Sequence, residues 1–241
     1  MSLISAEEIE QFHELGYFVT QPMWSTEQLD AVVDEFQRIH QEEIAQAEAE
    51  GREERLMEFL RVRPFIGAAH KRSDILADFV KSPIYLEACA HFIGPDADLY
   101  FNQLVNKPPE KGRTFAWHQD SGYVVTEPLE YITCWTAITR SFLENGCIWV
   151  LPGSHKKGLK EHVWSVEDHE HKVQVDESKA VAVPMERGQV AVFSSLTLHK
   201  SGPNTSGESR LGYVPQYHTP GVVSASNREP FGDQFPVLRD G

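Results

Sequence analysis

From residue 99 onward, short apolar runs alternate with turn-forming clusters. The runs span 99–106, 114–117, 131–139, 147–151, 180–183, 190–193 and 211–217. Pro108-Pro109, Glu144-Asn145-Gly146, Pro152-Gly153-Ser154 and Glu186-Arg187-Gly188 separate them. Many short strands with frequent turns predict a β-sandwich or barrel. The first third reads differently. Ser5 and Glu8 have capping-box spacing for a helix over 5–15, and Gly16 stops it. A short strand over 17–20 follows. Ser25 or Thr26 then opens a longer helix with Leu29, Val32, Val33, Phe36 and Ile39 at helical spacing. It runs into the charged stretch 41–55, expected to be a solvated helix extension or a mobile loop rather than a binding surface. Two short helices are predicted over 74–80 and 83–92. The expected fold is mainly β with N-terminal helices packed on a jelly roll. One domain is expected over 1–241: a helical part (1–97), a jelly-roll core (98–220) and a C-terminal tail (221–241).

Charge and composition narrow the function. A formal charge of −14 argues against a nucleic-acid partner or an anionic membrane. No run approaches the length of a membrane-spanning helix, and the acidic start is not a secretion signal. The end of the chain carries neither a peroxisomal address nor a lipidation motif. Cys89, Cys134 and Cys147 lack metal-like spacing and read as buried, reduced thiols. A cytoplasmic location is expected. The partner would be a small molecule, and oligomeric state is left open.

The chemistry concentrates at Trp117-His118-Gln119-Asp120 and at His199. On a strand, residues two apart leave the same face, so His118 and Asp120 would converge. His199, after the run 190–193, would add a second imidazole. Two histidines and one carboxylate on one face are the ligand set of non-haem Fe(II) oxygenases. On spacing alone the same residues also read as ordinary structural histidines, since the chain has eleven. Arg210, at the start of the last run, presents a planar fork that matches a carboxylate, as a 2-oxoacid would offer. A surface arginine is the other reading.

In sequence order, Asn106-Lys107-Pro108-Pro109, Trp117-His118-Gln119-Asp120, Cys134-Trp135-Thr136-Ala137, Asn145-Gly146-Cys147, Leu151-Pro152-Gly153-Ser154-His155-Lys156, His199-Lys200-Ser201-Gly202-Pro203-Asn204 and Arg210 resemble the phytanoyl-CoA dioxygenase family. Gly16-Tyr17-Phe18-Val19 fits the family's start. The resemblance implies a double-stranded β-helix, cupin-like in architecture, with Fe(II), 2-oxoglutarate and O2. By carry-over, His118, Asp120 and His199 would hold the metal. Arg210 and Ser201 would hold the distal carboxylate of 2-oxoglutarate, and Gln103 and Trp135 would line its pocket. Trp135 also reads as plain core. Asn204 would organise its loop. His155 reads as a turn or rim residue, and His162, His169 and His171 as chance histidines in a polar segment able to act as a lid. Relatives that halogenate replace the metal carboxylate with a small residue, so Asp120 implies hydroxylation or desaturation, with 2-oxoglutarate converted to succinate and CO2.

The resemblance does not carry the acyl-CoA substrate. A short, acidic chain with no obvious basic cluster leads us to expect a small, polar or zwitterionic metabolite. Tyr123, Phe115, Asn106, Arg61 and Arg63 are candidate substrate-facing positions. Two rivals stand beside this reading: a metal-dependent cupin-type enzyme that does not use 2-oxoglutarate, and a non-catalytic ligand-binding relative.

Overall fold

The structure is a computed structural model that describes residues 2–54, 57, 60, 65–109, 114–165 and 170–240. Candidates Arg61, Arg63 and His169 lie outside the described residues. Helix α1 (Ala6–Leu15) carries the expected capping box between Ser5 and Glu8, and Gly16 ends it at φ 85°. Strand β1 (Tyr17–Val19) leads to α2 (Thr26–Ala49), capped by Ser25 and Gln28. Leu29, Val32, Phe36 and Ile39 form its buried stripe. Of the two forms open to the charged stretch, a helical extension is the one seen as far as Ala49, with its outer face in solvent. Strand β2 (Phe65–Gly67), α3 (Asp74–Phe79) and α4 (Pro83–Phe92) complete the N-terminal part.

The remaining elements are strands: β3 (Ala97–Lys107), β4 (Phe115–His118), β5 (Thr126–Glu127), β6 (Ile132–Ala137), β7 (Ile148–Val150), β8 (Val163–Ser165), β9 (Glu170–Lys172), β10 (Val181–Val183), β11 (Val190–Ser194), β12 (His199–Ser201), β13 (Arg210–His218), β14 (Val223–Ser224) and β15 (Phe235–Leu238). The major sheet runs β1-β11-β6-β13-β3-β15, with β2 also on β3. The minor sheet runs β10-β7-β12-β4. Two ribbons, β5–β14 and β8–β9, form separate two-stranded sheets. The described pairings between strands are antiparallel. This is the jelly roll expected from the strand rhythm, cupin-like as the resemblance implies.

Period-two alternation splits the core in two. On the helix side, Leu104, Cys134, Val192 and Tyr213 pack with Leu29, Val32, Leu76 and Tyr85. Between the sheets, Val105, Trp135, Phe193 and Val214 meet Ile148, Val150 and Val183. Each fully buried aliphatic side chain contributes about 1.5–3 kcal/mol. Both faces of β6, β11 and β13 are therefore covered, which is why these strands read as unbroken apolar runs.

Strand pairing crosses the expected segment boundaries. β1 and β2 come from the helical part, and β15 comes from residues 221–241, expected to be only a tail. Pro236 hides β15 in the sequence. The strand lies at the sheet edge, where a missing N–H is tolerated. β12 was hidden because His-Lys-Ser is short and polar.

Candidate metal centre

His118 ends β4 and pairs with His199 of β12 in register. The strand does not continue to Asp120, which opens a 3₁₀ turn. Gln119 between them keeps extended backbone (φ −115°, ψ 140°), so alternation still brings His118 and Asp120 to one side. Gln119 itself is fully buried. Its amide nitrogen donates to Leu196 O (2.6 Å) and Gly158 O (3.0 Å), and its amide oxygen accepts from Lys160 N (2.7 Å). It ties the end of β4 to the turn before His199.

The metal-facing atoms are set by their neighbours. His118 Nδ1 donates to Ala116 O at 2.7 Å, and His199 Nδ1 donates to Thr197 O at 2.9 Å. Both protons are thereby placed on Nδ1, which leaves both Nε2 lone pairs free to bind. Asp120 Oδ2 accepts from Thr133 Oγ1 (2.5 Å) and Gln216 Nε2 (3.0 Å). Its Oδ1 then faces His118 Nε2 at 3.8 Å and His199 Nε2 at 3.6 Å. One ligand atom from each of the three residues lies within 4.8 Å of the others. Burial, with His199 alongside, pushes the His118 pKa well below the usual imidazole range, so the ring is neutral at physiological pH. Two imidazole Nε2 atoms and one carboxylate oxygen, the other oxygen already satisfied by the protein, fit a divalent iron.

Two cavities meet at this cluster. The smaller, about 90 Å³, is lined by Arg210, Ser201, Gln103 and Trp135, with Ile148, Phe193 and Val214 as apolar wall. All four residues assigned to the cosubstrate pocket by resemblance therefore gather in one place. Arg210 is 1% exposed, donates to Gly146 O, and lies with Cζ 5.0 Å from the Trp135 ring centre. Gly212 makes room for that ring, because a Cβ there would stand 2.4 Å from Trp135 Cζ2. Ser201 Oγ accepts from the buried Lys107 Nζ at 3.0 Å. The larger cavity, about 620 Å³, shares His118, Asp120, Gln103, Phe65, Phe115 and Gln216 with the smaller. Tyr123 and Phe115, two of the candidate substrate-facing positions, are among the residues that line it. Asn106 lines neither cavity, because it lies one residue out of phase with Gln103 and Val105 on β3.

Other expectations resolve residue by residue. Asn204 organises its loop, donating to Lys107 O (2.8 Å) and Glu208 O (2.7 Å). His155 sits in a 3₁₀ turn beside His13 O, away from the centre. His162 is more than a chance histidine. Its Nε2 accepts from Gln119 N at 2.9 Å, so it holds the backbone between two of the metal-facing residues. His171 packs its ring edge against Tyr123, 5.4 Å between centres. Thr133, Gln216 and Lys107 were not singled out as site residues from the sequence. Strand parity reveals them: Thr133 is in phase with Trp135, Gln216 with Arg210, and Lys107 with Gln103.

Comparison with known proteins agrees with this geometry. The phytanoyl-CoA dioxygenase (PhyH) family model matches residues 12–212. Human peroxisomal phytanoyl-CoA dioxygenase is 37% identical over 133 residues, covering 51% of this chain and 39% of the human protein. The bovine enzyme is 28% identical over 221 residues, covering 85% of this chain and 66% of its own length. The chain thus spans less than two thirds of these relatives. Among solved structures, the apo form of the non-heme monooxygenase ThoJ superposes with a TM-score of 0.74 at 24% identity, covering 97% of this chain and 87% of ThoJ. EvdO2 from Micromonospora carbonacea var. aurantiaca, complexed with 2-oxoglutarate, gives 0.73 at 20% identity, covering 95% and 96%. These two likenesses establish the fold, and the family match over 12–212 establishes the lineage: the chain belongs to the phytanoyl-CoA dioxygenase family.

Proposed function

We propose that the chain is a single-domain Fe(II)- and 2-oxoglutarate-dependent oxygenase that hydroxylates or desaturates a small organic molecule. The observation that carries the reading is the set of three donor atoms, His118 Nε2, His199 Nε2 and Asp120 Oδ1, facing one another while the remaining polar atoms of those side chains are engaged by protein. These residues would hold the iron. With 2-oxoglutarate and O2, iron(II) held there would supply the oxidising chemistry, in which a substrate C–H bond is oxidised and the 2-oxoacid ends as succinate and CO2.

The chain's own residues orient and shield. Arg210 would take the distal carboxylate of 2-oxoglutarate through its fork, with the Trp135 ring centre 5.0 Å from Cζ and Gly146 O accepting from one nitrogen. Lys107 makes Ser201 Oγ an acceptor, so the Ser201 proton is available to the same carboxylate. Gln103 offers its amide from β3. Ile148, Phe193 and Val214 keep water from this end. Arg210 with Ser201 in the small cavity supports this reading over a cupin-type enzyme that does not use 2-oxoglutarate. Three buried, free thiols agree with a reducing compartment such as the cytoplasm. No described helix is long and apolar enough to cross a membrane.

Succinate release from 2-oxoglutarate under air tests the proposal. Wild type should turn over 2-oxoglutarate, while Asp120→Ala and Arg210→Met should lose nearly all of it. Equal turnover in Arg210→Met would favour the cupin-type alternative.

A further inference from the structure

The larger cavity has a character that the sequence did not suggest. Among the described residues, seven of the fifteen that line it are Phe or Tyr, and none is Lys or Arg. The rings form two groups beside the metal-facing cluster. Phe65 meets Phe115 edge-on at 5.6 Å. Tyr100 packs against Tyr131 at 4.7 Å and Phe231 at 5.9 Å. Tyr123 adds its ring edge-on to His118 at 5.4 Å. The mouth is apolar as well, since Phe101, Tyr123 and Phe231 are each more than a third exposed.

Charge in this lining is already spent. Apart from Asp120, the one carboxylate among the described lining residues is Asp233, which pairs with Lys71 and stands 3.4 Å from His70 Nε2. Burial, with the Asp120 charge nearby, pushes the Tyr100 hydroxyl up to about 12, so it remains a neutral phenol. The carboxylate of a zwitterion placed here would lose its hydration without gaining a cation from the described wall, at a cost of several kcal/mol. A volume near 620 Å³ also suits a drug-sized molecule rather than a free amino acid. Aromatic walls favour rings, which stack offset or edge-on, and a rigid ring system loses less entropy on binding than a chain.

We propose that this cavity takes an uncharged, ring-bearing apolar compound, and that Tyr123 and Phe231 at its mouth select it. That the compound is the substrate rests on the oxygenase reading above. The binding itself does not, so the test uses metal-free protein without 2-oxoglutarate. Progesterone and an uncharged anthraquinone serve as ring probes, with palmitoyl-CoA and L-proline as charged comparators. Binding is read by saturation-transfer NMR and by quenching of intrinsic fluorescence. The expected result is micromolar binding of at least one ring probe, at least tenfold tighter than either comparator. Tyr123→Ala with Phe231→Ala should weaken it about tenfold, with the thermal unfolding temperature unchanged. Tighter binding of palmitoyl-CoA or L-proline, no binding of either ring probe, or undiminished binding in the double variant would overturn the proposal. A separate anaerobic titration with Fe(II) and 2-oxoglutarate reports on the oxygenase reading, so failure of one is distinguishable from failure of the other.

Discussion

Thr133→Val isolates the support beneath the proposed metal carboxylate. Thr133 is 1% exposed, and valine matches its shape while removing the hydroxyl. That hydroxyl donates to Asp120 Oδ2 at 2.5 Å. A hydrogen bond to a charged group is worth about 1.5–3 kcal/mol. Loss of such an outer partner typically lowers metal affinity about 10–100-fold. Taking about 2 kcal/mol gives a drop of roughly 30-fold. Gln216→Leu should cost less, because its amide lies farther from Oδ2, at 3.0 Å, and Thr133 remains in place. Gln216 Nε2 also donates to Thr133 Oγ1 at 3.2 Å, so the two substitutions should not be additive. The assay is anaerobic calorimetric titration with Co(II) or Mn(II), with circular dichroism to check the fold. Affinity within twofold of wild type, in a variant that unfolds at the wild-type temperature, would refute the idea that Thr133 fixes which carboxylate oxygen faces the histidines.

Four further outcomes follow from the same contacts. Lys107→Met should weaken 2-oxoglutarate binding about tenfold while leaving Co(II) affinity unchanged, because Lys107 reaches Ser201 and not the histidines; competition binding checks it. Gly212→Ala should destabilise by about 1–3 kcal/mol, since the new Cβ meets Trp135 at 2.4 Å, lowering Tm by roughly 2–4 °C per kcal/mol in a thermal melt. Gln119→Leu should cost about 1–3 kcal/mol in urea unfolding, chiefly because the buried Leu196 carbonyl loses its partner. Metal-free protein should lose stability in acid. His70, His118, His162 and His218 all have pKa values lowered chiefly by burial, so the unfolded chain binds protons that the fold refuses. That stability is present above about pH 6.5 and is lost as pH falls, at up to about 1.4 kcal/mol per pH unit for each imidazole kept neutral, and less for the half-buried His162. A flat or rising Tm from pH 7 to 5 would contradict it.

Much of this architecture is legible in the sequence because alternation and capping are local. Ser5 with Glu8 and Ser25 with Gln28 announce their helices, and the longer strands announce themselves by apolar runs. His118 and Asp120 converge because one extended residue separates them. What stays hidden depends on partners far along the chain. Nothing near Thr133 says that it reaches Asp120, and nothing near Phe231 says that it folds over Tyr100. β12 and β15 are too short or too polar to stand out, and they become strands only because a neighbouring strand is waiting. The expectation of a small, polar or zwitterionic metabolite rests on chain length, acidic charge and the want of a basic cluster, all properties of the whole chain, and the aromatic lining of one cavity is not legible in them.

The central claim is tested most directly by anaerobic absorbance spectroscopy. Fe(II) and then 2-oxoglutarate are added to metal-free protein, and the visible charge-transfer band of a chelated 2-oxoacid is sought. The account predicts a band in wild type that is absent in His199→Ala and weakened in Arg210→Met. Folded wild-type protein that binds iron but gives no band would contradict it.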